Sequence, residues 1–198
     1  PLKLRTVIII PARFKSSRFP GKPLAKILGK PLIEWVAELC SIAVGKENVY
    51  VATDDQRIES FVRSININCI MTSEDHLTGT DRVAEASNYV EADIYVNVQG
   101  DEPLVNPNDI KKIINEKVKG GKDVIKGYCE LSDFEKPENV NIPKIIFSDN
   151  SYLVYASRSV IPGSKQKIEK KIYKAVCIYA FDKNNLNDFL SYGKKSKL

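Results

Sequence analysis

Val7-Ile8-Ile9-Ile10-Pro11-Ala12-Arg13-Phe14-Lys15-Ser16-Ser17-Arg18-Phe19-Pro20-Gly21-Lys22-Pro23-Leu24 is the stretch that decides the fold. Its first four residues are all β-branched, and such a run reads as a strand buried on both faces, as in the middle of a parallel sheet. Pro11 ends the run. The loop that follows carries Arg13, Lys15, Arg18 and Lys22 and no acid. Open α/β sheets bind ligands in the crevice beyond the carboxyl ends of their strands. Four cations confined to one such end, with Gly21 allowing close backbone approach, point to a polyanion, and a triphosphate fits best. A solvated basic loop is the plainer alternative, and the confinement of the charge to one strand end argues against it.

Two other phosphate loops are excluded. A Walker loop needs a Gly five residues before its Gly-Lys pair and a Ser or Thr after it, whereas here Ser16 precedes and Pro23 follows. The dinucleotide fingerprint G-x-G-x-x-G is also absent. Side-chain cations, with a metal, must therefore hold the phosphates.

Outward from this loop, helical and strand patterns alternate. Leu32, Trp35, Val36, Leu39 and Ala43 recur at helical spacing after Pro31. NVYVAT, residues 48–53, is a second strand ending in Asp54-Asp55. Ile58, Phe61, Val62 and Ile65 mark the next helix. Residues 67–71 form a third strand that empties into the polar TSEDHLTGTDR, where Thr80-Asp81 can open a helix reaching Tyr89. IYVNV, residues 94–98, is a fourth strand. A helix over 107–117 and a strand over 123–129 follow. The alternation predicts a parallel sheet covered on both faces. The pattern then changes: residues 133–143 are irregular, Lys144–Phe147 and Tyr152–Tyr155 flank a Ser-Asp-Asn-Ser turn as a hairpin, and 165–171 is a charged, solvated run. A strand over 173–181 and a short helix over 183–192 complete the chain.

The fourth strand runs straight into Gln99-Gly100-Asp101-Glu102-Pro103-Leu104. A carboxylate fixed there can hold Mg²⁺ against phosphates, since that ion takes only one or two protein carboxylates. Asp101 is the candidate metal ligand. Cations on one loop and a metal carboxylate on another describe nucleotidyl or phosphoryl transfer, in which charge neutralisation and positioning supply most of the catalysis.

Composition sets outer bounds. A chain of 198 residues with 43% hydrophobic residues supports one domain with a sizeable core. The net charge of +5 suits anionic substrates and is too mild to argue for nucleic acid, and the basic loops lack interleaved stacking residues. No apolar run approaches the ~20 residues of a membrane span and no secretory signal is evident, so no membrane association and a cytoplasmic location are expected. Cys40, Cys69, Cys129 and Cys177 are widely spaced beside apolar residues and read as buried free thiols. His76, the single histidine, reads as a loop residue outside any Ser-His-Asp arrangement.

IIPARFKSSRFPGKPL, VATDD, MTSEDHLTGTDR and VNVQGDEPL, in this order, closely resemble the CMP-Kdo synthetases (3-deoxy-manno-octulosonate cytidylyltransferases). SRSVIP and the strand ending IYAF extend the resemblance to about residue 182, nearly the whole chain. The first and fourth blocks are shared by the wider sugar-nucleotidyltransferases, while His76 to Arg82 points to this family. The resemblance implies a three-layer, Rossmann-like nucleotidyltransferase α/β fold with a mostly parallel sheet and a small hairpin-containing insertion. It implies a single domain, with 131–172 as an insertion and dimerisation region and the C-terminal part of the family fold absent. The implied reaction transfers CMP from CTP to the anomeric hydroxyl of a 3-deoxy-ulosonic acid, releasing pyrophosphate, for lipopolysaccharide or other cell-surface polysaccharide synthesis. Carried over residue by residue, Arg13, Lys22 and Asp101 are catalytic, and Asp101 binds Mg²⁺. Pro11, Ala12, Arg13, Arg18, Lys22, Met71, Thr72, Thr78, Gly79, Thr80, Arg82 and Gln99 surround the nucleotide. Gln99, Arg158 and Tyr179 lie by the sugar. The implied partners are CTP, a keto-sugar acid and a second copy of the chain.

The chain departs from the family pattern at two places. Ala175 stands where a His beside the sugar is usual, and Asp182 stands where an Arg follows the strand. Both suggest an acceptor other than Kdo itself, such as an amino-substituted ulosonic acid. A segment with a late Asp-Thr-Pro-Glu-Asp, whose first Asp joins the metal site in the family, is not found. Two rival readings are a nucleotidyltransferase acting on a sugar 1-phosphate and an inactive CTP-binding protein.

Overall fold

The computed structural model describes residues 4–16, 19–121, 123–163 and 171–194. Its chain falls into two units, residues 1–125 with 178–198, and residues 126–177.

In the first unit, β1 (Thr6–Ala12) is followed by a small hairpin, β2 (Lys26–Ile27) and β3 (Lys30–Pro31). Then come α1 (Leu32–Val44), β4 (Val49–Thr53), α2 (Gln56–Ser64) and β5 (Asn68–Met71). α3 (Gly79–Ala86), β6 (Ile94–Val98) and α4 (Pro107–Gly120) complete the alternation. β1 is central. Val7, Ile8, Ile9 and Ile10 have no exposed surface: α1 covers one face of the strand and α3 the other, while β4 and β6 pair along its two edges, both parallel. β5 extends the sheet beyond β4, also parallel. Burying each of these aliphatic side chains contributes roughly 1.5–3 kcal/mol.

The chain moves outward from β1 to β4 to β5. It then returns through α3 to place β6 on the other side of β1. The order therefore reverses between β1 and β6. At such a switch point the two connections leave in opposite directions, and a crevice opens beyond the carboxyl ends. α1 and α4 pack together on one face, and α3 and α5 (Lys183–Tyr192) on the other. The long β10 (Tyr173–Phe181) runs antiparallel to β6 through Ile178–Phe181. The α3 face of the core holds Val7, Ile9, Val83, Tyr95, Phe181 and Leu186.

The helix stripe read from sequence is rotated in α1. Leu32 and Val36 are buried as read, but Ile33, Ala37 and Cys40 complete the buried face, while Trp35, Leu39 and Ala43 are half-buried. Trp35 instead donates its indole N–H to the Ile27 carbonyl, 3.0 Å away, and tethers the hairpin. Of the cysteines, Cys40 alone is buried, and burial pushes its thiol up to about 12. Cys69 and Cys177 are half-buried and Cys129 is exposed, so the expectation of four buried thiols is corrected.

The second unit holds β8 (Lys144–Phe147) and β9 (Leu153–Ser157), the antiparallel hairpin expected from the sequence. β7 (Ile125–Glu130) pairs with β10, and Tyr173 and Lys174 of β10 pair with β8. The rings of Tyr128, Phe147 and Tyr173 cluster with centroids 4.7 to 5.7 Å apart. Lys144 is fully buried, with its ammonium donating to the carbonyls of Asn139 and Arg158. Of the charged run 165–171, all but Lys171 lies outside the described residues.

Candidate active site

The crevice predicted by the switch point exists. A cleft of about 450 Å³ is lined by Pro11, Ala12, Arg13, Lys15 and Lys22 from the β1 end and by Gln99, Gly100 and Asp101 from the β6 end, with Gly79 of α3 between them. Close packing at its floor explains Gly100: a Cβ there would come within 2.9 Å of the Pro11 carbonyl oxygen. Gly21 has φ +71°, a left-handed conformation open to glycine at no steric cost, and its amide donates to the Phe14 carbonyl at 2.8 Å. That bond folds the basic loop back on itself and delivers Lys22 to the cleft. The Phe14 ring is in turn covered by the Arg57 guanidinium, 3.3 Å from its centroid, which Asp55 holds from below.

Among the described cations of the loop, two face carboxylates and one faces backbone carbonyls. Lys22 pairs with Asp101 at 2.6 Å, with both side chains about half exposed. Lys15 pairs with Glu74 at 2.8 Å on the open surface. Arg13 donates from its two terminal nitrogens to the carbonyls of His76 and Leu77, at 3.3 and 3.2 Å. Arg18 lies outside the described residues.

The polar loop after β5 is more ordered by its own chemistry than its sequence suggested. Thr78 caps α3, accepting from Asp81, while Asp81 accepts from the Thr78 N–H in a capping box. The helix therefore begins at Gly79, just before the expected Thr80. Met71 is partly exposed at the end of β5. Thr72 is buried and donates its hydroxyl to the Thr53 carbonyl. Thr80 is half-buried in the first turn of α3.

Arg82 is placed otherwise than the nucleotide assignment implied. It has no exposed surface, and its guanidinium donates to the Thr72 hydroxyl and sits 3.4 Å from Asp54. Burial pushes its pKa down, and the Asp54 carboxylate counters this. It is a strut that joins α3 to the ends of β4 and β5. His76 lies in a loop, as expected, but its imidazole pairs with Glu85. Nothing in the local sequence of α3 marks Glu85 as part of the site.

Gln99 donates from its side-chain amide to the Asn97 side-chain Oδ1 at 3.2 Å and lines the cleft beside Gly79. Asn97 is fully buried, and sequence reading passed over it as one residue of a strand. Tyr179 is half-buried on β10, with its Cα opposite that of Asn97. Arg158 belongs to the second unit, is exposed, and donates to the Val140 carbonyl at 2.8 Å. Asp182, the charge-reversed position, is a structural residue. It caps α5 by accepting from the Asn185 N–H, and it pairs with the buried Lys117 at 3.1 Å.

Among the described residues no group of three or more His, Cys, Asp or Glu side chains could hold a metal ion by itself. Asp101 offers one hard carboxylate at the cleft. That donor set fits an ion such as Mg²⁺ that takes one or two carboxylates and completes its shell with substrate phosphates and water.

The sequence profile of the cytidylyltransferase family matches residues 7–196. An 8-amino-3,8-dideoxy-manno-octulosonate cytidylyltransferase of Shewanella sp. strain W3-18-1 is 40% identical over 194 residues, covering 94% of this chain and 78% of the relative. Among solved structures, CMP:2-keto-3-deoxy-manno-octonic acid synthetase complexed with CTP superposes with a TM-score of 0.89 at 38% identity, covering 98% of this chain and 80% of that one. A cytidylyltransferase from Leptospira borgpetersenii, at 18% identity and a TM-score of 0.63 over 98% of this chain and 66% of that one, shares the fold.

Proposed function

We propose, from the premise that this chain belongs to the cytidylyltransferase family, that its reaction takes place in the cleft between the carboxyl ends of β1 and β6. The chain is a cytidylyltransferase of the 3-deoxy-octulosonate type, using CTP and a keto-sugar acid. The anomeric oxygen of the sugar attacks the α-phosphorus of CTP. The bond from that phosphorus to the bridging oxygen breaks, and pyrophosphate leaves.

One observation carries the placement: Arg13, Lys22, Asp101 and Gln99 meet at the topological switch point of the sheet. Arg13 and Lys22 neutralise charge that grows on the phosphate oxygens as the bond breaks, which is the main demand of phosphoryl-type transfer. Lys22 can exchange Asp101 for a phosphate oxygen, because both side chains are half exposed and, among the described residues, no further side-chain bond holds the pair. Asp101 would hold Mg²⁺, which when bound supplies Lewis-acid neutralisation of the triphosphate. Gln99, braced by Asn97, presents its amide to the sugar side.

For the acceptor, the 8-amino sugar is favoured over Kdo. Support comes from the acceptor named for the Shewanella relative and from Ala175, which stands in place of an imidazole. Asp182 no longer contributes to that argument, since Lys117 and the α5 N-terminus occupy it. A homodimer is supported by β9, where Leu153, Val154 and Tyr155 are all more than half exposed. No described helix is long and apolar enough to cross a membrane.

Product analysis tests this reading. The chain is incubated with CTP or UTP and with Kdo, its 8-amino analogue or a sugar 1-phosphate. We expect a CMP-sugar with CTP only and a higher kcat/KM for the analogue. Equal or better kcat/KM with Kdo would remove the amino preference, and product from UTP and a sugar 1-phosphate would overturn the reaction.

A further inference from the structure

We propose that Glu85, through His76, is a positioning residue for the nucleotide half of the cleft, because it anchors the loop whose carbonyls aim Arg13. The proposal rests on the cytidylyltransferase reading for its functional consequence, and on geometry alone for the anchor itself.

The three cleft cations differ in what neutralises them. Lys22 and Lys15 each face a carboxylate. Among the described residues Arg13 forms no ion pair. Its terminal nitrogens meet only the carbonyl oxygens of His76 and Leu77. Neutral acceptors orient a guanidinium without cancelling its charge, so Arg13 keeps a full positive charge for an anion. Its aim then depends on where those two carbonyls are held.

They belong to a segment, residues 73–78, with no helix or strand of its own. Glu85 fixes that segment at two points. One carboxylate oxygen accepts from the Ser73 N–H at 2.9 Å and also pairs with the His76 imidazole. The chain between the two anchors is only Glu74 and Asp75, and Asp75 is pinned by its N–H to the Ser73 hydroxyl at 3.1 Å. A single side chain of α3 thus closes a short loop against the helix. The helix is itself rooted in the core by Val83, Ala84 and Ala86. The far end of the loop is set by the Thr78 cap. Removing the anchor frees the carbonyls of His76 and Leu77, and with them the direction of Arg13, while deleting no group of the cleft itself. Catalytic geometry commonly depends on supporting contacts of this kind.

Two measurements test this. Hydrogen exchange on the ligand-free protein reads the anchor without any substrate. Glu85→Ala should speed exchange of the Ser73 amide and of its neighbours through Leu77, while exchange in β1 and β6 stays as in the parent. Unchanged exchange at Ser73 overturns the anchor. Steady-state kinetics with CTP and the 8-amino sugar then read the coupling to Arg13. Glu85→Ala should raise the KM for CTP about tenfold, the scale of one lost charge-assisted hydrogen bond, with the KM for the sugar unchanged. Glu85→Gln keeps an acceptor for both partners and should stay within about threefold of the parent. In an Arg13→Ala background, Glu85→Ala should change the KM for CTP by less than about twofold, because residues acting through one another are non-additive. Equal effects in both backgrounds overturn the proposal. His76→Ala, which removes one anchor and keeps the backbone, takes the place of Glu85→Ala in the cycle if that variant does not fold. A parent chain that makes no CMP-sugar overturns the cytidylyltransferase reading and the nucleotide role, whereas the exchange data still decide the anchor.

Discussion

Two lysine–aspartate pairs stand at strand ends of the same sheet, and they do opposite work. Lys22 and Asp101 meet at 2.6 Å with 43% and 50% of their side chains exposed. Lys117 and Asp182 meet at 3.1 Å with 2% and 25% exposed. The first pair is open and opportunistic. Water screens it, so its contribution to stability is small, and either partner can be taken by a ligand at little cost. The second is knotted. The Lys117 ammonium also donates to the Asp123 carbonyl and to Asn185, and Asp182 also caps α5. Removing one member there leaves a buried charge or unsatisfied donors. The same two residue types therefore make an open pair lining a cleft in one place and a rivet in the other, and burial with hydrogen-bond count tells them apart.

The contrast breaks first at Asp101. Asp101→Asn keeps shape and removes charge, and should lower kcat/KM for CMP transfer by about 10²–10³-fold, the scale of losing one electrostatic element of a transfer site. Its thermal midpoint should stay within about a degree or two of the parent, as befits an exposed pair. A fall in midpoint comparable to that of a core variant would merge the two pairs into one class.

Asp182→Ala should do the reverse. It removes a helix cap and strips the buried Lys117 of its counter-charge, a loss of roughly 2–4 kcal/mol by denaturant unfolding. Activity per folded molecule should stay within about threefold, provided Asp182 is the rivet described. Activity lost out of proportion to folding would return Asp182 to the substrate side.

Lys22→Ala sharpens the first half. CTP affinity measured by calorimetry should fall about 10–100-fold, one charge-assisted contact, with folding unchanged. Unaltered affinity would mean that the open pair is not a ligand exchange point.

The smallest effect concerns acid. For Asp182, burial pushes the pKa up, but the Asn185 N–H and Lys117 pull it down further, and the net position is below the ordinary value. Glu135 of the second unit is drawn from 4.5 to about 2 by Lys174 and the Ser132 N–H. A carboxylate with a depressed folded-state pKa stabilises fully above its unfolded value, and that stability is lost as pH falls through the folded one. Acid unfolding should therefore deepen from about pH 4.5 down toward 2, and Asp182→Asn should flatten part of that limb. Stability that rises on acidification would reverse the sign and discard the argument.

Much of this was legible in the chain. Val7 to Ile10 reads as a central strand because four β-branched residues leave no polar face, and the structure buries all four. QGDEP directly after IYVNV puts Asp101 at a strand end, where the cleft is. Reading failed where the partner is distant in sequence. Asp182 resembled a substrate-facing charge because Lys117 lies 65 residues upstream and on another helix. Arg82 lies in a motif that the family resemblance assigned to the nucleotide, and only packing shows that its guanidinium turns inward to Thr72 and Asp54. Glu85 is one acid on a short helix, and only the structure shows the distant backbone it reaches at Ser73. The small misplacement of the α1 stripe has a similar origin. An amphipathic pattern tolerates a rotation of one position, and the contacts with β1 and α4 decide it.

In the proposed reaction CTP binds at the carboxyl ends of β1 and β6. A larger depression of about 680 Å³ lies at the amino end of β1, lined by Arg5, Asn48, Lys111 and neighbours, and it also offers cations. Titrating CTP into the isotopically labelled chain and following backbone amides by NMR separates the two directly. We expect shifts at Ala12, Arg13, Lys22, Gly79 and Gln99 to Asp101, saturating together, with Arg5, Asn48 and Lys111 unmoved. Saturating shifts at Arg5, Asn48 and Lys111, with Arg13 and Gly100 unmoved, would contradict the account.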